Sequence, residues 1–78
     1  MDNKVIEIAQ RIKTLREICG LSEEQMAETI GCSVNEYREA ENGNTDFSFT
    51  FIYKAAEKLG VDMIELLTGD NPRLSFYS

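Results

Sequence analysis

Residues 21–43 read LSEEQMAETIGCSVNEYREAENG, and their spacing predicts two short helices joined by a tight turn. Ser22 suits the N-cap of the first, its hydroxyl accepting from the unpaired N–H groups of the next turn. Gln25, three residues on, completes a capping box. Met26, Ala27 and Ile30 then fall on one apolar face. Gly31 supplies a conformation that residues with a β-carbon avoid, so the first helix stops there. Ser33 and Glu36 repeat the capping box for a second helix. Tyr37 and Ala40 carry its inner face, and Asn42-Gly43 ends it. Two capped helices with a three- to four-residue turn between them make a helix-turn-helix.

The same reading extends in both directions. Upstream, a helix is expected over Lys4–Cys19, with Val5, Ile8, Ile12, Leu15 and Cys19 on its inner stripe and Ile6 and Ile18 off it. Downstream, Asn44-Thr45-Asp46-Phe47 is a polar linker and Ser48 the next N-cap. The run Phe47 to Tyr53 alternates apolar and polar as a strand would. Phe49, Ile52, Ala55, Ala56 and Leu59 nevertheless continue at helical spacing, so a helix is expected over Phe49–Leu59, stopped by Gly60. Phe49, with either Ile52 or Tyr53, is assigned to the core, and Phe47 and Phe51 to the surface. Asp62 caps a fifth helix, Met63–Thr68, stopped by Gly69. The expected fold is all-α, five helices, in a domain over residues 1–70. Residues 71–78 are expected to form an extended tail or the start of a truncated second domain.

Composition narrows the function. The 78 residues carry 42% apolar and 28% charged side chains, as a soluble globular chain does. The N-terminus has no apolar stretch of the signal-peptide kind, and no run approaches the roughly 18 residues of a membrane span, so a cytoplasmic protein with reduced thiols is expected. There is no histidine, which removes Ser-His and Cys-His catalytic pairs, and no Gly-rich phosphate loop follows a strand. The chain is not expected to be an enzyme. Cys19 and Cys32 do not make a zinc ligand set and read as small core hydrophobes. The loop from Asn42 to Asp46 lacks the acids of a calcium-binding loop. No cofactor or metal is expected.

The helix-turn-helix stretch, with Ile12-Lys13-Thr14-Leu15-Arg16 and Gly20-Leu21-Ser22 before it and Lys54-Ala55-Ala56-Glu57-Lys58-Leu59-Gly60-Val61 after it, resembles the lambda repressor/Cro-like (XRE-type) transcriptional regulators over roughly residues 8–69. The resemblance implies sequence-specific binding of double-stranded DNA by the N-terminal domain of a bacterial regulator, as a homodimer, with helix three in the major groove. Carried over position by position, Val34, Asn35 and Glu39 face base edges: Val34 a thymine methyl, Asn35 an adenine, Glu39 a cytosine amino group. Arg38 is a phosphate contact, and Ser22, Ser33 and Asn42 match further phosphate-bonding positions. Glu23 stands where the family usually has a phosphate-bonding Gln. The resemblance also implies a structural bridge between Arg16 and Glu41. The aromatic entry to helix four resembles the subgroup with a following cupin-type sensor domain.

One feature of the chain opposes DNA. Its net charge is −6, and residues 21–46 hold one base, Arg38, against seven acids. Duplex affinity comes largely from cations that displace condensed counterions, and only Arg11, Lys13 and Lys54 are at hand to help. The alternative is a degenerate helix-turn-helix that engages a basic protein partner through its acidic face or its exposed aromatics, among which Phe47, Phe51, Ile64, Leu67, Phe76 and Tyr77 are candidates.

Overall fold

The computed structural model describes residues 3–69, which form five helices: α1 (Asn3–Ile18), α2 (Glu23–Ile30), α3 (Val34–Glu41), α4 (Phe49–Leu59) and α5 (Met63–Thr68). The tail expected over 71–78 lies outside the described residues. Helices α2 and α3 pack on each other, α4 closes over α2, and α1 crosses α3, α4 and α5. Both capping boxes form: the Ser22 hydroxyl accepts from Gln25 N and the Ser33 hydroxyl from Glu36 N, each at 3.0 Å. The returning side chains of Gln25 and Glu36 accept from the cap N–H groups at 2.8 and 2.9 Å. Gly31 ends α2 at φ +90°, a left-handed conformation that carries no steric penalty only in glycine. Ser48 caps α4 through Phe51 N.

Ile12, Met26, Tyr37 and Leu66 are fully buried and mark the centre of the core. Gly43 matters for a second reason besides its φ of +80°: a β-carbon there would sit 3.2 Å from Ile6 Cγ1. The loop leaving α3 can therefore lie against α1.

Five residues depart from the sequence expectations. Cys19 is exposed, because α1 ends at Ile18 and the apolar stripe runs out one residue short. Phe49 is 73% exposed while Phe51 is buried at 9%. The face of α4 that meets the core is Phe51, Ile52, Ala55, Ala56 and Leu59, and Phe49 lies about 200° around the helix from Phe51. Phe51 instead stacks on Tyr37, with ring centroids 5.8 Å apart, and meets Phe47 at 5.1 Å, so Phe47 also packs against the core. Asp62 stands at the N-cap of α5 but makes no side-chain capping hydrogen bond.

Among the described residues, the buried charged side chain is Glu41, 5% exposed. Arg16 grips it as a fork, Nε to Oε2 at 2.9 Å and Nη2 to Oε1 at 3.0 Å, and the Tyr37 hydroxyl donates to Oε2. Arg16 Nη1 also donates to the Leu21 carbonyl at 2.8 Å. One guanidinium thus joins α1, the entry to α2 and the end of α3. Removing one partner of such a pair strands the other, which costs about 3–5 kcal/mol. E41A and R16A should each lower stability by about 3 kcal/mol in urea titrations, whereas a loss below about 1 kcal/mol would show that the fork is dispensable.

Burial first, and then the hydrogen bond to Glu41, push the Tyr37 hydroxyl far above the ordinary tyrosine range. Folding therefore favours its protonated form. That stability is complete below the unfolded tyrosine pKa of about 10 and declines as pH rises above it. Unfolding followed between neutral pH and pH ~11 should show an alkaline decline that Y37F lessens.

Candidate nucleic-acid interface

The two capping boxes fix where α2 and α3 begin, and the Arg16–Glu41–Tyr37 cluster fixes how α3 lies against α1. What remains of α3 faces outward. Asn35, Arg38 and Glu39 are exposed and Val34 is half-buried. Val34 packs against the core, so only part of it is open to a base edge. Asn35 has no side-chain hydrogen-bond partner among the described residues, and its amide is available as both donor and acceptor.

The neighbouring charges are engaged within the molecule. Arg38 Nε donates to Glu23 Oε1 at 3.1 Å, with the side chains 47% and 28% exposed. Glu23 sits in the first turn of α2, where its carboxylate also suits the positive end of the helix dipole. Glu39 Oε2 accepts from Asn44 Nδ2 at 2.8 Å. Asn44 was not among the sequence candidates. It comes within reach because the chain folds back after α3, with Asn44 N donating to the Glu39 carbonyl at 3.0 Å. The only hint in the sequence is the Asn-Gly-Asn run that follows Glu41.

The capping positions are similarly occupied. The N–H groups of Ser22 and Ser33 donate to their own capping partners, so a phosphate could use them only by displacing Gln25 or Glu36. Asn42 is the exposed C-cap of α3. The backbone N–H and then the hydroxyl of Ser33 hold Glu36 below its ordinary pKa, and it remains ionised at neutral pH. Burial, with Glu36 nearby, pushes the Cys32 thiol up. Its sulfur is therefore a neutral apolar neighbour of α3 and not a thiolate.

Two of the auxiliary cations point elsewhere. Arg11 Nη1 donates to the Leu66 carbonyl at 2.5 Å, near the C-terminal end of α5. Lys54 Nζ reaches the Ile30 carbonyl at 3.5 Å, at the end of α2. Both complement helix C-termini. Lys13 is exposed on α1. No helix among the described residues is long and apolar enough to cross a membrane.

This geometry, two capped helices with the second presenting a polar outer face, defines a helix-turn-helix protein of the XRE type. The helix-turn-helix domain family matches residues 9–72, and the chain belongs to that family of DNA-binding transcription regulators, whose members and fold are typically non-enzymatic. Among solved structures, the chain is similar to the restriction-modification controller protein C.AhdI from Aeromonas hydrophila, at 29% identity and a TM-score of 0.77, over 83% of this chain and 98% of that one. Neither match extends to a cupin-type sensor domain. No curated protein matches the sequence.

The Arg38–Glu23 pair is partly exposed, and such pairs contribute about 0.2–1 kcal/mol. A double-mutant cycle with R38A and E23A should return a coupling in that range that shrinks in high salt. A coupling near zero at low salt would mean that the two side chains are free of each other.

Proposed function

We propose that this chain reads duplex DNA sequence-specifically, as the DNA-binding domain of a bacterial transcriptional regulator acting as a homodimer. The observation that carries the reading is the outer face of α3. Asn35 stands there open and unpartnered, with Arg38 on the same helix, on a helix held by the buried fork. In this reading Asn35 pairs with adenine, Val34 touches a thymine methyl and Glu39 accepts from a cytosine amino group. Arg38, Ser22, Ser33 and Asn42 meet phosphates. Similarity to a restriction-modification controller supports a regulatory role.

Glu23 has a particular place in this reading. Its carboxylate holds Arg38 where a phosphate would otherwise sit, so binding exchanges an internal anion for an external one. Affinity per domain is then low, and two domains on half-sites about one helical turn apart supply the remainder. Phe49 and Tyr53, stacked 6.2 Å apart on the outside of α4, with Ile64 and Leu67 exposed on α5, are the apolar surface that supports self-association. Phe47 and Phe51, assigned that role from sequence, pack inward.

A second reading rests on the charge of the same face. One base stands against seven acids over residues 21–46, and the base is paired internally. A helix-turn-helix of this kind engages a basic protein partner in place of DNA.

Selection from a pool of random duplexes at low salt separates the two. Enrichment of a palindromic site is expected. N35A should cost about 1–3 kcal/mol at one position of the site, and R38A should weaken all sequences and reduce the salt slope by about one per domain. E23Q should tighten binding by releasing Arg38. No enrichment, even with two domains artificially linked, would sink the DNA reading.

A further inference from the structure

Beside α3, between its outer face and the loop that leads to α4, lies a groove of about 450 Å³. Its floor is apolar: Ala40 and Phe51 are buried and Cys32 is half-buried. Its rim carries three exposed carboxylates, Glu36, Glu39 and Asp46. Each uses one oxygen internally: Glu36 Oε1 on Ser33 N at 2.9 Å, Glu39 Oε2 on Asn44 Nδ2 at 2.8 Å, and Asp46 Oδ1 on Phe47 N at 2.7 Å. None of the three has an ion-pair partner among the described residues. These bonds orient the carboxylates without neutralising them.

An apolar floor under an anionic rim has a definite chemical complement. Its occupant needs an aliphatic stem to lie on Ala40 and the edge of Phe51, and a cationic head to reach the rim. It must also be larger than a single ion, since a volume of this size holds several side-chain groups. Phosphate is repelled by all three carboxylates, so a nucleic-acid backbone is a poor fit. Arginine suits the rim better than lysine, because its planar fork bonds two carboxylate oxygens at once.

We propose that this groove docks an arginine-bearing segment of a protein partner, with the arginine stem on Ala40 and Phe51 and its guanidinium among Glu36, Glu39 and Asp46. The proposal deepens the protein-partner reading and names its surface. Asn35 also lines the groove, and Asn35 and Glu39 are both reading positions in the DNA model. If α3 also reads DNA, an occupied groove excludes the duplex, and the partner acts as a competitor for the same helix.

The test uses the whole 78-residue chain without DNA, so that it fails or succeeds apart from the duplex selection. The probe is a blocked peptide that alternates arginine with leucine, titrated while backbone amide shifts are followed by NMR. Shifts concentrated at Asn35, Glu39, Thr45 and Phe51 are expected. They should vanish when citrulline, the same shape without charge, replaces arginine. The E39Q/D46N double variant should bind about tenfold more weakly, the size expected of two partly exposed ion pairs. Both positions are exposed, and an unchanged thermal melt confirms that this variant folds. Absence of binding, equal shifts from the citrulline peptide, or shifts spread over carboxylates outside the groove such as Glu7 and Glu57 would each overturn the proposal.

Discussion

The structure depends on a carboxylate placed where water cannot reach it. Glu41 ends α3 in the interior, and a charge there is tolerable only because Arg16 and Tyr37 enclose it with hydrogen bonds. The same guanidinium holds the Leu21 carbonyl, at the doorway of α2. One ionic cluster therefore sets the position of three helices, and the angle at which α3 leaves the body follows from it. Apolar packing alone is non-directional and would leave that angle less defined. The fork supplies direction, and Tyr37 links it to the core through its stack on Phe51.

Set on that frame, the outer face of α3 holds two opposed chemistries. Its amide and its single cation suit a duplex, while its carboxylates suit a cationic partner. The internal pairs moderate the conflict: Glu23 takes up Arg38, and Asn44 takes up one oxygen of Glu39. A surface of this kind gains little from long-range attraction to DNA, so recognition must come from close contacts that replace the internal ones. Among the other cations of the described residues, Arg11 and Lys54 bond carbonyls near helix C-termini at Leu66 and Ile30, Lys58 lies in the last turn of α4, and Lys4, Lys13 and Arg16 lie on α1.

Much of this was legible in the sequence, and the reason is local. A serine followed three residues later by Gln or Glu makes a cap whose partners all lie within one turn, so Ser22-Gln25 and Ser33-Glu36 could be recognised without a fold. Gly31 at the end of an apolar run marks a helix stop for the same reason, and the bounds of α4 and α5 follow from Ser48, Gly60 and Gly69. The outward positions of α3 were also readable, since Tyr37 and Ala40 define the opposite side. Where the chain ran out of local constraint, the reading failed: Cys19 lies one residue past the end of α1, and the face of α4 could be drawn through Phe49 or through Phe51 with nearly equal periodicity.

The sequence by itself determined five helices and the serine caps of α2, α3 and α4, because each rests on contacts between residues at most four apart. Only the tertiary structure decided which aromatic of α4 is buried, because that depends on Tyr37 presenting a ring across the core. It alone decided that Arg38 meets Glu23 and that Asn44 meets Glu39, because those distances are set by how α2, α3 and the following loop pack. It also decided the groove, whose walls come from α3, the α3–α4 loop and α4. A site built from several elements is a property of their packing, and packing is a balance among all of them at once.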